Sequence, residues 1–192
     1  MGVTMSNLNE AVCPVWMAYT FDNPLRGIVH APQEMFKPYL HEGMRVLDIG
    51  CGLGFFSLEM AKMVGVSGKV TAIDLQPGML KVVETRARKR GLGSRINTHQ
   101  CGSNQLGTSE RADFVLTFWM IHETPDYRGL IDQIYELLLP GGIYYLADPK
   151  MHVSAEFFQE ATAYAVGKGF IINSRPKVRW SHAIVLQKPE NG

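Results

Sequence analysis

The chain has 192 residues, an apolar share of 46% and a formal net charge of +1. This is one domain's worth of chain with ample material for a packed core, and a net charge so near zero excludes bulk electrostatic attraction to nucleic acid or to an acidic membrane. Three cysteines without a paired spacing argue for a reducing compartment. No apolar run reaches membrane-spanning length, and the N-terminus lacks the basic-then-apolar pattern of a secretory signal. The expectation is a cytoplasmic single-domain protein over residues 1–192, with no nucleic-acid or membrane partner.

Residues 1–9 are polar. Residues 12–40 scatter apolar and aromatic side chains, Trp16 and Tyr19 among them, between Pro14, Pro24, Pro32 and Pro38. Two or three short helices are predicted there, and residues 1–42 are read as a helical lid segment. Strands and helices then alternate through 43–188, the core. The strands are predicted at 45–49, 69–73, 95–100, 114–118, 143–147, 170–173 and 180–187. The helices are predicted at 56–63, 77–90, 126–138 and 154–166, and Pro140, Gly141 and Gly142 are read as a turn into the fifth strand. Such alternation predicts an α/β fold, a doubly wound and mostly parallel sheet with helices on both faces.

The first strand runs into VLDIGCGLGFF, in which Asp48, Gly50, Gly52 and Gly54 alternate. Glycines here let backbone approach a ligand without Cβ atoms in the way, at the carboxyl end of a parallel strand where such folds bind ligands. The dinucleotide fingerprint G-x-G-x-x-G fails, because its third glycine position is Phe55. A P-loop fails as well, since no Gly-Lys-Ser/Thr follows. The pattern suits a nucleoside cofactor without a pyrophosphate. The second strand ends in Asp74, a carboxylate placed to accept hydrogen bonds from ribose hydroxyls; the alternative role is capping the next helix.

At these residues the chain resembles the class I S-adenosylmethionine-dependent methyltransferases of the small type 11 kind. The matching motifs are VLDIGCGLG, TAIDLQPGML, ADFVLTFWMIHE and LLLPGGIYYLAD. The resemblance implies a seven-stranded Rossmann-like sheet whose last strand is antiparallel, with S-adenosylmethionine as cofactor. It places Gly50, Cys51, Gly52 and Gly54 against the cofactor, Asp48 in support of the turn, Asp74 on the ribose and Leu75 on the adenine. Many relatives carry an acid after the third strand, as Gly-Asp-Ala. Here the stretch reads HQCGSNQ, with Gly102 in that place, so Ser103, Asn104 or a backbone carbonyl must serve. Phe118 closes the list of cofactor candidates.

Working groups in such a sheet come from the carboxyl ends of the strands. After the fourth strand these are Trp119, His122, Glu123 and Thr124; after the fifth, Asp148, Lys150 and His152. Methyl transfer asks the protein for alignment, a dry pocket and a base for a protonated nucleophile. His122 is the candidate base, since imidazole exchanges a proton near neutral pH, with Glu123 or Asp148 to orient it; the alternative role is capping the helix near Asp126. Trp16, Tyr19, Trp119, Lys150 and His152 are candidate substrate contacts. No metal is expected, because Trp119 stands where a metal-dependent relative has an acid, and Cys13, Cys51 and Cys101 lack a paired thiolate motif. The absence of Asn/Asp-Pro-Pro-Tyr after strand four disfavours methylation of base amino groups or glutamine amides. The expected substrate is a small, partly hydrophobic molecule. The alternatives are a macromolecule at an open site, a non-catalytic cofactor-binding protein and, last, an oxidoreductase.

The charge run 81–90 is read as the solvated face of a helix. Arg175, Lys177 and Arg179, in RPKVRW, are read as alternate residues of one strand that either steer an anionic substrate or keep a sheet edge from pairing.

Overall fold

A computed structural model describes residues 30–190. After a short helix α1 (Pro32–Phe36) come β1 (Arg45–Ile49), α2 (Phe55–Met63), β2 (Lys69–Asp74), α3 (Pro77–Lys89), β3 (Ile96–Gln100) and β4 (Ala112–Phe118). A single 3-10 turn, Ile121–Glu123, leads to α4 (Tyr127–Leu137), β5 (Leu138–Pro149), α5 (Ala155–Lys168), β6 (Ile171–Ser174) and β7 (Ser181–Gln187). The seven strands form one sheet in the order β3-β2-β1-β4-β5-β7-β6. All pairings from β3 to β5 are parallel, and β7 runs antiparallel to both its neighbours. The expected doubly wound sheet with its antiparallel last strand is present.

Alternation along each strand builds two cores, because successive side chains leave a strand on opposite faces. Val46, Phe114, Leu116, Tyr145 and Ala147 face one side, under α1, α2 and α3. Leu47, Ile49, Val115, Tyr144 and Leu146 face the other, under α4 and α5. Strands buried on both faces have no polar side to spare, which is why they read as continuous apolar runs. The end of the segment expected as a lid is seated in the first core. Phe36 is fully buried, edge-on to Phe56, Phe114 and Tyr145 with ring centroids 5.5–5.8 Å apart. Trp16, Tyr19 and Cys13 lie outside the described residues.

Two boundaries differ from expectation. Strand β5 starts at Leu138 directly off α4, and the Pro-Gly-Gly stretch is a bulge within it. The pairing with β4 jumps from Ala112↔Leu138 to Phe114↔Ile143, which pushes residues 139–142 outward. Residues 175–180 belong to the connection between β6 and β7 and not to a strand, so the alternation argued for Arg175, Lys177 and Arg179 does not hold.

Helix starts follow local chemistry. Asp126 caps α4 by accepting from the Gly129 N–H at 2.9 Å, and Ser154 caps α5 by accepting from Phe157 at 3.2 Å. The cap expected near Asp126 is therefore Asp126 itself, which leaves His122 without that role.

Candidate active site

The strand order reverses between β1 and β4, and in such sheets the crevice outside the carboxyl ends at the reversal holds the ligand. The glycine turn after β1 stands at this point. The N–H groups of Gly50 and Cys51 both donate to Ile73 O, at 2.9 and 3.0 Å, which binds the turn to β2. Gly50 and Gly52 both take left-handed backbone, with φ of 71° and 53°. Their surroundings differ. A Cβ on Gly50 would lie 2.7 Å from Met120 Cγ, whereas a Cβ on Gly52 would meet nothing within 4 Å. Packing thus explains the glycine at 50, and open space beside a left-handed backbone is what a ligand cradle at 52 requires. Gly54 begins α2. Asp48 is buried and accepts from Ser57 Oγ in α2, so it braces strand, turn and helix.

Asp74 sits across from the turn. Its Oδ2 accepts from the Gly52 N–H and its Oδ1 from the Gln76 N–H, each at 2.9 Å. Burial pushes its carboxyl upward, against these hydrogen bonds. The residue thus serves both as the acid at the end of β2 and as a local brace; Gln76, not Asp74, is the cap of α3. Leu75 is partly exposed beside it. In the loop after β3, the Cys101 N–H donates to Asp74 O and Gly102 N–H to Gln105 O. Asn104 is fastened through its carbonyl, which accepts from Gln133 Nε2 at 3.0 Å, and both Ser103 and Asn104 are exposed. Burial raises the thiols of Cys51 and Cys101, the latter to about 11, with nearby Asp74 adding to both; neither is held as a thiolate.

The ends of β4 and β5 bring together what 26 residues separate. His122 Nδ1 lies 3.0 Å from Asp148 Oδ1, and its Nε2 lies 4.0 Å from Glu123 Oε1. Asp148 is fully buried. Burial pulls the imidazolium down, but the Asp148 hydrogen bond and the charges of Asp148 and Glu123 outweigh it, so the His122 pKa is raised. Burial pushes the Asp148 carboxyl up, and the neighbouring imidazole draws it back. Glu123 is raised by burial, by Asp148 and by Asp74, with His122 and His152 opposing. It therefore stands within electrostatic reach of both halves of the crevice.

Phe118, buried, and Trp119, half-buried, stand together at the end of β4. They stack at 5.4 Å with 28° between planes, and His30 meets both edge-on at 5.0 and 5.2 Å. Trp119 is left-handed, with φ 60°, and its indole N–H donates to Ser181 Oγ at 2.8 Å, tying the end of β4 to the start of β7. Lys150 and His152 are exposed on the rim. Among the described residues no three His, Cys, Asp or Glu side chains gather as a metal site would need.

Met120, Ser57 and Ser181 are the parts that sequence reasoning missed. Met120 lies within ADFVLTFWMIHE, and Ser57 sits in the first turn of the helix that follows the glycines. Only Ser181 had no signal, because its partner is 62 residues away.

This fold and this crevice are those of the class I S-adenosylmethionine-dependent methyltransferases. A family model described as "Methyltransferase domain" matches residues 40–187, and the chain belongs to that family. Demethylmenaquinone methyltransferase of Geobacillus kaustophilus is 29% identical over 109 residues, 57% of this chain and 47% of the relative. Ubiquinone biosynthesis O-methyltransferase of Methylocella silvestris is 31% identical over 138 residues, 70% of this chain and 52% of the relative. The chain spans about half the length of these curated relatives. A SAM dependent methyltransferase structure from Aquifex aeolicus superposes with a TM-score of 0.82 at 24% identity, covering 91% of this chain and 98% of that one.

Proposed function

We propose that this protein transfers a methyl group from S-adenosylmethionine to a small, partly hydrophobic molecule whose accepting atom carries a dissociable proton, with His122 as the general base. The observation that carries the reading is the His122–Asp148 pair, 3.0 Å apart at the adjoining ends of β4 and β5. Bound cofactor supplies a methyl group activated by a sulfonium. Gly50, Cys51, Gly52 and Gly54 form its cradle in this reading, Asp74 accepts from its ribose hydroxyls, and Leu75, Ser103 and Asn104 border its adenine. Asp48 holds the turn from below through Ser57.

The chain's own work is proton handling and alignment. Asp148 accepts from the Nδ1–H of His122, which fixes the tautomer and leaves Nε2 to take the acceptor's proton. The buried carboxylate stabilises the imidazolium so formed, as its raised pKa reflects. Trp119, held by Ser181, and Phe118 supply an apolar wall, and Lys150 and His152 sit at the rim. The apolar wall fits the small quinone-type molecules that the relatives' names describe.

The test is transfer of isotopically labelled methyl from S-adenosylmethionine into cell extract, with products separated by size. Label in small molecules with the natural protein, and its loss with His122→Gln while S-adenosylhomocysteine still binds, is the expected result. Label in protein or nucleic acid overturns the acceptor class, and full activity of His122→Gln overturns the base.

A further inference from the structure

Two loops meet at the mouth of the crevice: residues 150–154, which follow β5, and residues 175–180, which join β6 to β7. Pro149 pairs with Ser181, and the Lys150 N–H donates to Trp180 O at 2.9 Å, so the loops lie side by side. Each presents a large apolar side chain to solvent. Met151 is 82% exposed and Trp180 51%. Single exposed apolar side chains are ordinary; here two stand on neighbouring loops, and the charge around them is mainly positive. Lys150, Arg175, Lys177 and Arg179 are all exposed, and the Arg179 guanidinium lies over the Trp180 ring at 4.7 Å from its centroid. Residues 149–155 and 171–189 contain no Asp or Glu. A whole-chain net charge of +1 therefore conceals four cations on one rim, bordered by the Glu156 carboxylate, which accepts from Ser154 and faces His182.

We propose that this rim docks on an anionic phospholipid bilayer, with Met151 and Trp180 entering the headgroup layer and the four cations meeting lipid phosphates. Indole rings favour the membrane–water interface, where one end is apolar and the other wet. Clustered Lys and Arg are drawn to anionic leaflets. Binding of nucleic acid would account for the cations and leave Met151 without a role. The placement has a consequence for the reaction. Asp148 lies two residues from Lys150, so docking turns the His122–Asp148 pair toward the layer in which a partly hydrophobic acceptor dissolves. This rests on the proposed acceptor class. Among the described residues no helix is long and apolar enough to cross a membrane, which accords with attachment at the surface.

The test is sedimentation of the full chain with vesicles of phosphatidylcholine, alone or mixed with phosphatidylglycerol. Binding is expected on the mixed vesicles only and should weaken as salt is raised. Arg175→Gln with Lys177→Gln should lower affinity about 30-fold, and Met151→Ser with Trp180→Ser should abolish it. Calorimetric binding of S-adenosylhomocysteine serves as the check that each variant is folded. No sedimentation with mixed vesicles, equal binding by the variants, or association with RNA in place of vesicles overturns the proposal. The assay contains no acceptor and reads no methyl transfer, so its failure leaves the acceptor class standing. Vesicle binding combined with label only in macromolecules would keep the docking surface and overturn the acceptor class.

Discussion

His122 takes its main electrostatic support from Asp148, with Glu123 adding to it. With Asp148 at 3.0 Å, its pKa is raised above the ordinary imidazole value, and in its proposed role as base it must be unprotonated to act. The rate should therefore fall as pH drops through a pKa higher than the usual ~6.5. Asp148→Asn removes the charge that holds the proton, so the acidic limb of kcat/KM against pH should move to lower pH while kcat also falls. A limb that stays in place would assign it to another group. His122→Gln should cost about 10²- to 10⁴-fold in kcat with little change in cofactor affinity. Asp74 allows a separate measurement. Asp74→Ala should weaken S-adenosylhomocysteine binding by ~1–3 kcal/mol, part of it through the Gly52 N–H left without its acceptor. Unchanged affinity in calorimetry would remove Asp74 from the ribose. Asp74 was legible from the sequence because a carboxylate ending the second strand of a βαβ unit sits beside the first turn by construction. The His122–Asp148 pair was legible only as two candidates, since nothing local states that one imidazole meets that particular acid.

The glycine turn separates packing from binding within one element. Gly50→Ala combines left-handed backbone with a methyl 2.7 Å from Met120 Cγ, whereas Gly52→Ala carries the backbone cost alone, about 1–2 kcal/mol. Chemical denaturation should show Gly50→Ala as the less stable of the two. Cofactor calorimetry should show Gly52→Ala losing affinity out of proportion to its stability, because its Cβ enters the open space assigned to cofactor in the proposed function. Equal affinity for Gly52→Ala and the natural protein would place the cradle elsewhere. The spacing of the glycines announced the turn, but the reason for each one differs, and Met120 beneath Gly50 comes from a different strand end. The bulge in β5 was hidden for a related cause. Pro-Gly-Gly reads locally as a turn, and only pairing with β4 on one side and β7 on the other keeps the backbone in the sheet.

At the scale of the molecule, two cores close on one sheet, and α1 is seated on the first of them. Phe36, fully buried against Phe56, Phe114 and Tyr145, should cost about 3–5 kcal/mol when replaced by alanine, read as a lower urea midpoint with an unchanged slope. A loss confined to activity would instead make this helix a detachable lid. Another closure comes from Lys188, buried near the end of β7, whose ammonium donates to the carbonyls of Tyr135 and Leu138 at 2.8 and 3.0 Å. It satisfies the last carbonyls of α4 where the chain passes straight into β5. The sequence by itself determined the order of elements, the two-sided burial of the strands, the glycine turn and the acid that faces it, because periodicity and turn chemistry act over a few residues. Tertiary structure decided which strand ends adjoin. It thereby joined His122 to Asp148, Trp119 to Ser181 and Lys150 to Trp180, and it gathered on one rim a charge that the near-neutral total does not reveal, since pairing across the sheet sets these distances and no spacing along the chain encodes them.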